Sequence, residues 1–232
     1  MGRIPLENPR VIYDLGCGSG NVARLLADRW PAADIVGVDN SPEMLTEAAD
    51  SPSRVRWEYG DLADWKPDAS PSVLYSNAVI QWVPDHQELI PRLWAMLPVW
   101  RMPGCAGPDE LGRETLADGG TGGKPIGSAE LREAVGNRWV QDPDFYYDLL
   151  APNATHLDVW TTEYQHVLTG DDAVLEWVTS TGLRPILNGL NDADRDVYRE
   201  EYRRRLNRQY PRRADGATLY PFQRLFFVAI RA

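Results

Sequence analysis

The sequence predicts an α/β fold, a doubly wound and mostly parallel sheet with a C-terminal helical cap. Three observations predict it. Strand and helix patterns alternate through roughly the first hundred of the 232 residues. A glycine-rich turn joins the first strand to the first helix. Each of the first four strands ends at or beside a polar residue, and an open parallel sheet binds ligands just beyond the carboxyl ends of its strands.

The elements follow in order. Residues 11–15 form a short apolar strand that runs into glycines. Residues 21–30 place Val22, Leu25, Leu26 and Trp30 at helical spacing. Residues 35–38 are a second buried strand ending at Asp39, and Ser41-Pro42-Glu43 opens the next helix, with Ser41 as cap and Pro42 at the first helical position. Residues 55–59 and 73–76 read as strands followed by Asp61 and Asn77, and residues 89–97 as a helix. Residues 98–128 hold eight glycines and few large apolar side chains. That stretch predicts an irregular segment, broken by a truncated fifth strand at 99–102 and a short helix around 110–117. Beyond it, 129–137, 171–181 and 192–210 read as helices, and 158–168 and 225–230 as strands.

A 43% hydrophobic and 25% charged composition is that of a globular protein. The net charge of −10 argues against a general binder of nucleic acid or membrane surfaces, which are themselves anionic. No apolar run approaches the ~18 residues of a membrane span, and residues 1–10 lack the apolar core of a signal peptide. The expectation is a cytoplasmic protein, monomeric or weakly oligomeric. Cys17 and Cys105 make neither a disulfide framework nor a zinc site, and His156 and His166 lack metal-ligand spacing, so no metal is expected. Charge is uneven along the chain: residues 184–232 carry 11 basic and 6 acidic groups. Arg203, Arg204 and Arg205 read as a solvated helix face.

The sharpest local signal is residues 11–21, VIYDLGCGSGN. Gly16, Gly18 and Gly20 let the backbone turn tightly and approach a ligand, and the helix behind them offers N–H groups to a negative group. The third glycine comes two residues after the second, not three as in a dinucleotide fingerprint, and no phosphate-loop Gly-Lys-Ser/Thr follows. Asp39 stands where a carboxylate can accept both hydroxyls of a ribose, and Asp61 where one can meet an adenine amino group. Either acid alone would equally suit a helix cap or a turn.

Taken together, Asp14, the three glycines, Asp39 and Asp61 resemble the signature of Rossmann-like methyltransferases that use S-adenosylmethionine. The resemblance implies that Asp14, Gly16, Gly18 and Gly20 meet the methionine part of the cofactor, Asp39 its ribose, and Asp61, with Leu62 beside it, its adenine. Asn77 completes the rim. Four further segments resemble the trans-aconitate 2-methyltransferase family: residues 76–86 (SNAVIQWVPDH), 142–150 (DPDFYYDLL), 176–185 and 219–226 (LYPFQRLF). The likeness spans nearly the whole chain except residues 98–128. It implies a cofactor-binding part at 1–128 and, at 129–232, a substrate-binding cap with the final strands of the same domain.

The implied reaction methylates a carboxylate of trans-aconitate to a monomethyl ester. A carboxylate is already ionised at neutral pH, so no general base is required and no catalytic residue is assigned. Rate comes from alignment of the reacting atoms. A tricarboxylate held by an acidic protein calls for local cations, and an arginine fork suits carboxylates. Arg184 and Arg224 are the candidates, with hydroxyls from Tyr146, Tyr147 and Tyr220 and a pocket wall from Gln81 and Trp82. His86 suits either that wall or the start of a helix. The alternatives are a methyltransferase for another small acid, and a silent cofactor-binding or scaffold protein. The family pattern has a helical segment ahead of the first strand and a Pro-Gly-Gly turn before the fifth, whereas here ten residues precede Val11 and Leu97-Pro98 runs straight into Val99. The expected consequence is weak cofactor binding or a pocket completed by a second chain.

Overall fold

A computed structural model of the chain describes residues 7–97, 99–105, 110–119, 124–136, 140–180 and 183–232. Seven strands form one sheet: β1 (Val11–Leu15), β2 (Asp34–Asp39), β3 (Arg56–Tyr59), β4 (Val73–Ser76), β5 (Val99–Cys105), β6 (Ala154–Thr169) and β7 (Ala217–Arg231), in the order β3-β2-β1-β4-β5-β7-β6. Pairing is parallel from β3 through β5, and β7 lies antiparallel to β5. The order reverses beside β1, and open sheets of this kind bind ligands beyond the carboxyl ends of the strands at that switch point, here β1 and β4.

The helices are α1 (Asn21–Arg29), α2 (Pro42–Asp50), α3 (His86–Ala95), α4 (Glu110–Asp118), α5 (Ala129–Gly136), α6 (Pro143–Leu150), α7 (Ala173–Ser180), α8 (Arg184–Gly189) and α9 (Asp192–Gln209). Ser41 caps α2 by accepting from the Met44 N–H at 3.2 Å, with Pro42 next, and Asn191 caps α9 by accepting from the Asp194 N–H at 2.9 Å.

The chain divides into two compact units. The first comprises residues 1–106, 139–162 and 224–232; the second comprises 107–138 and 163–223. In the first unit, strand side chains alternate between the two faces of the sheet. Tyr13, Leu15, Val36, Val38 and Leu74 pack with Leu89, Ile90, Leu93 and Trp94 of α3 and with Tyr146 and Leu150 of α6. Ile12, Ile35, Val73 and Tyr75 pack on the opposite side with Ala23, Leu26 and Ala27 of α1. That two-sided burial is why β1, β2 and β4 read as unbroken apolar runs. Arg54 closes the end of α1 from outside, donating to the carbonyls of Ala27, Trp30 and Ala33.

The second unit has its own core, with Leu116, Val174, Leu183, Tyr198, Tyr202 and Leu206 among its buried residues. Arg203, Arg204 and Arg205 of α9 are tied into ion pairs rather than simply solvated. Glu201, 8% exposed, binds both Arg204 and Arg205, Arg205 also meets Asp118 of α4, and Arg203 meets Glu200 and Asp172.

Several boundaries differ from expectation. The fifth strand is not truncated at 102 but runs to Cys105, carried past Pro103-Gly104 by a register shift against β7 between Met102 and Cys105. Proline removes a ladder donor, and a bulge absorbs that loss. The last two strands are much longer than residues 158–168 and 225–230, at 16 and 15 residues. Helices α6 and α8 were not anticipated.

Candidate active site

The glycine turn is built as a left-handed backbone path: φ is +69° at Gly16, +53° at Gly18 and +82° at Gly20. Three left-handed residues in five explain the glycines, because a Cβ makes that conformation costly. Their surroundings differ. A Cβ on Gly16 would lie 2.4 Å from the Val79 side chain, and one on Gly20 would lie 2.3 Å from the Trp57 ring. A Cβ on Gly18 would meet nothing within 4 Å. Gly16 and Gly20 are therefore glycines for packing, while Gly18 faces open space and leaves its backbone approachable. Trp57 of β3 also covers Gly37 of β2, and the Arg24 guanidinium lies 5.6 Å from the centre of its ring. This tryptophan backs the turn.

Asp14 faces α1, the same side as Ile12, and is 1% exposed. Burial pushes its carboxyl up to about 7, the backbone N–H of Ala23 opposing and the charge of Asp39 adding to the rise. Its Oδ2 is buried and makes no hydrogen bond. A buried carboxylate oxygen without a donor is costly and marks a place where a ligand donor would be welcome. Beside it, burial pushes the Cys17 thiol up to about 12, with Asp14 and Asp39 adding, so this cysteine is no nucleophile at neutral pH.

Asp39 receives the Gly18 N–H on Oδ2 at 2.8 Å and the Ser41 N–H on Oδ1 at 2.9 Å. Asp61 receives the Ala63 N–H on Oδ1 at 2.9 Å and the Asn40 amide on Oδ2 at 3.2 Å. A carboxylate oxygen has more than one acceptor position, so both acids can still accept from a ligand. The Leu62 side chain lies in the core at 6% exposure, which leaves its backbone as the part placed beside Asp61.

After β4 the chain turns sharply. Ala78 has φ +58°, Val79 rests against Gly16, residues Ile80–Trp82 form one 3-10 turn, and Asp85 has φ +57°. A left-handed non-glycine residue costs energy and tends to persist where the surrounding structure demands it. Within this segment the Gln81 Oε1 is buried without a hydrogen-bond partner, and Trp82 is exposed. The Asn77 Oδ1 accepts from the Arg224 Nη2 at 3.0 Å. Asn77 thus engages Arg224, a use the sequence did not suggest.

Tyr146 lies in the core as well. It is fully buried, its hydroxyl lies 2.6 Å from the His86 Nδ1, and it accepts the Gln141 N–H at 3.1 Å. The His86 Nε2 lies 3.0 Å from the Ile80 carbonyl. A consistent proton arrangement has Tyr146 donating to Nδ1 and Nε2–H donating to the carbonyl, with the ring neutral. Burial holds the His86 pKa below its ordinary value, in keeping with that form. This pair anchors the 3-10 turn from behind, so the Tyr146 hydroxyl is not available to a substrate. Tyr147, the next residue on α6, is exposed.

Arg184 and Tyr220 belong to the second unit. Arg184 begins α8, and its side chain lies outside the described residues. Tyr220 is 8% exposed and packs against Trp177 and Tyr210. Trp57, Val79 and the strained Ala78 were missed. Their functional meaning comes from what they touch in space, and no motif carries it. A groove of about 1000 Å3, lined by residues including Arg10, Trp30, Asp34 and Ser72, opens at the amino ends of β1, β2 and β4, away from these residues. Among the described residues no cluster of His, Cys, Asp and Glu could hold a metal, and no helix is long and apolar enough to cross a membrane.

Comparison with known proteins agrees with this geometry. A family model described as a methyltransferase domain matches residues 12–98. The trans-aconitate 2-methyltransferase of Methylobacterium radiotolerans is 40% identical over 238 residues, covering 100% of this chain and 91% of that protein. The enzyme of the same name from Pseudomonas aeruginosa strain PAO1 is 42% identical over 231 residues, covering 95% and 83%. Among solved structures, the YcgJ protein of Bacillus subtilis aligns with a TM-score of 0.53 at 14% identity over 98% of this chain and 94% of its own. Phosphoethanolamine N-methyltransferase 2 of Haemonchus contortus, in complex with S-adenosyl-L-methionine, aligns with a TM-score of 0.52 at 17% identity over 98% and 50%. These two structural likenesses establish the fold.

Proposed function

The chain belongs to the trans-aconitate 2-methyltransferase family, and from that membership we propose that it methylates a carboxylate of trans-aconitate with S-adenosylmethionine as donor. The observation that carries this reading is about 40% identity with enzymes of that name over the whole chain, joined to a turn whose middle glycine is open to a ligand.

The residues present fit the cofactor. The unpartnered Asp14 Oδ2 and the open face of Gly18 suit the methionine end, Asp39 the ribose hydroxyls and Asp61 the adenine amino group. S-adenosylmethionine, when bound, supplies a methyl group on a positively charged sulfur. A substrate carboxylate oxygen forms the new bond to that methyl carbon, the carbon–sulfur bond breaks, and the electron pair stays on sulfur. No proton moves, so the site needs no general base. The contribution of the protein is to hold the substrate oxygen in line and to limit its hydration. For the substrate, the proposed contacts within the first unit are Arg224, Tyr147, Gln81 and Trp82.

The test is mass spectrometry of purified protein incubated with S-adenosylmethionine and trans-aconitate. The expected product is one methylene unit heavier than the substrate and absent when the donor is omitted. A protein that binds the donor tightly yet yields no ester of trans-aconitate would overturn the substrate assignment.

A further inference from the structure

Tyr146 and His86 form the middle of a hydrogen-bonded line that runs from the approach to α6 into the turn after β4. The Gln141 N–H donates to the Tyr146 Oη at 3.1 Å, that oxygen lies 2.6 Å from the His86 Nδ1, and the His86 Nε2 lies 3.0 Å from the Ile80 carbonyl oxygen. Both side chains are buried, and rings hold Tyr146 in place, Phe227 stacked at 5.9 Å and Phe145 edge-on at 5.3 Å. Every member of the line belongs to the first unit. The segment it reaches sets Val79 against Gly16, carries Gln81 and Trp82, and is flanked by two left-handed residues, Ala78 and Asp85. Such backbone persists where its surroundings over-determine it, and the bond to the Ile80 carbonyl is one such restraint.

The chemistry of the line dictates where its protons sit. A carbonyl oxygen only accepts, so the Nε2 that faces Ile80 carries hydrogen. A neutral imidazole has a single N–H, which leaves Nδ1 bare, and a bare nitrogen 2.6 Å from a phenol receives the phenolic proton. A hydroxyl oxygen accepts while its proton is given away, so the Gln141 N–H fits the same assignment. Burial keeps the ring neutral, against the carbonyls of Ile80 and Val83 and the charge of Asp85, which favour the cation. Without the Tyr146 hydroxyl the tautomer loses its cause. An Nε2–H ring would leave Nδ1 buried with no donor, and an Nδ1–H ring would turn a lone pair toward the Ile80 oxygen.

We propose that Tyr146 and His86 are positioning residues for methyl transfer: Tyr146 fixes the His86 tautomer, and the His86 Nε2–H fixes the turn through Ile80 so that Gln81 and Trp82 present the substrate oxygen to the methyl group. This rests on the reading of the protein as a trans-aconitate methyltransferase with Gln81 and Trp82 among its substrate contacts. Tyr146, expected from the sequence to offer its hydroxyl to the substrate, acts on the substrate through the turn instead.

The test joins a spectroscopic readout to kinetics. In protein labelled with nitrogen-15 histidine, long-range proton–nitrogen spectra read which ring nitrogen holds the proton. The chain has three histidines, so the His86 signals are those missing from His86→Gln. The expected wild-type form at pH 7 is Nε2–H, giving way to a mixture with Nδ1–H in Tyr146→Phe. Turnover of trans-aconitate is then compared in Tyr146→Phe, His86→Phe, His86→Gln and the Tyr146→Phe/His86→Gln double variant, beside calorimetric binding of S-adenosylmethionine. Tyr146→Phe and His86→Phe should each lower kcat by about tenfold, the scale of a misaligned attack. Donor affinity should stay within about threefold, because the loss falls on the chemical step. His86→Gln keeps an N–H for Ile80 and has no tautomer to set, so it should lose less than His86→Phe, and adding Tyr146→Phe to it should cost little more. A merely structural pair would lower the melting temperature and leave the kcat of folded protein unchanged. A wild-type ring that is Nδ1–H or protonated, wild-type kcat in Tyr146→Phe, a loss confined to donor affinity, or a double variant as slow as the product of its single losses would each overturn the proposal. Should Tyr146→Phe fail to fold, the wild-type spectrum and the contrast between His86→Phe and His86→Gln carry the decision. A wild type that does not methylate trans-aconitate would instead refute the underlying function, and the spectrum would still read the tautomer.

Discussion

Replacing Asp14 by asparagine should change the pH dependence of stability in a way that no surface substitution can imitate. Burial raises the Asp14 carboxyl from an ordinary 3.8 to about 7. Below 3.8 the folded and unfolded chains both hold the proton. Between 3.8 and about 7 the folded chain keeps a proton that the unfolded chain has released, so stability falls as pH rises. Above 7 both are ionised and the full cost is present. A difference of about three pH units corresponds to roughly 4 kcal/mol, and near-complete burial leaves little solvent screening to discount it. Asparagine removes the ionisation and retains an acceptor for Ala23. It also places an amide N–H2 where Oδ2 now has no partner, at a cost of about 1–3 kcal/mol. The net expectation is that Asp14→Asn is less stable than wild type near pH 4 and more stable by about 1–3 kcal/mol at pH 8. Urea unfolding of cofactor-free protein from pH 4 to 8 reads both curves, and their difference isolates Asp14 from every other titrating group. Parallel curves would refute the reasoning, because they would mean that the carboxyl ionises in the folded chain as it does in the unfolded one.

Other expectations follow from the same contacts. Gly18→Ala should fold at a cost of about 1–2 kcal/mol for its left-handed backbone while weakening S-adenosylmethionine by at least about tenfold, because its methyl enters the open cradle; melting and calorimetry separate the two effects. Gly16→Ala, which collides with Val79, should lose about 2–5 kcal/mol of stability before any ligand is added. The His86 imidazole, held below its ordinary 6.5 by burial, should make the protein less stable as pH falls through 6.5, since the unfolded chain takes up a proton that the folded one refuses. His86→Gln should flatten that limb of the unfolding profile by up to about 1.4 kcal/mol per pH unit. Arg54→Ala strips a charged donor from three carbonyls at the end of α1 and should cost about 2–3 kcal/mol, seen as a lower melting temperature with donor affinity retained.

The parallel half of the fold was legible because β1, β2 and β4 are buried on both faces and write themselves as apolar runs. The antiparallel strands were shortened on reading because much of β6 is exposed and mixes Thr, Glu, Gln and His with its apolar residues, a pattern whose ends fade into loop composition. Pro103-Gly104 looked like a strand end, and only pairing with β7 shows that the strand continues past it. Among site residues, Gly16, Gly18, Gly20, Asp14, Asp39 and Asp61 lie within contiguous or regularly spaced motifs at strand ends, and Asp39 is tied to the glycine turn through the Gly18 N–H. Tyr146 and Leu62 sat in motif-like segments too, but motifs record structural needs as well as chemical ones, and these two face inward. Trp57 had no chance of being found: its relation to Gly20 and Gly37 exists only after β3 pairs with β2. The link from Asn77 to Arg224 spans 147 positions, beyond any local pattern.

The two hydrogen bonds accepted by Asp39 carry a lesson for how the protein is probed. The same carboxylate that suits a ribose already staples the glycine turn, through Gly18, to the start of α2, through Ser41. Truncating it to alanine would release both loops at once, and a lost signal could not distinguish a missing ligand contact from a slackened frame. Asparagine keeps one oxygen for one of the two N–H groups and sets its own N–H2 against the other, so it too is an imperfect blank. The informative perturbation lies on the ligand instead: a donor analogue lacking one ribose hydroxyl leaves the frame intact. The affinity it forfeits reports what the carboxylate gives to recognition alone.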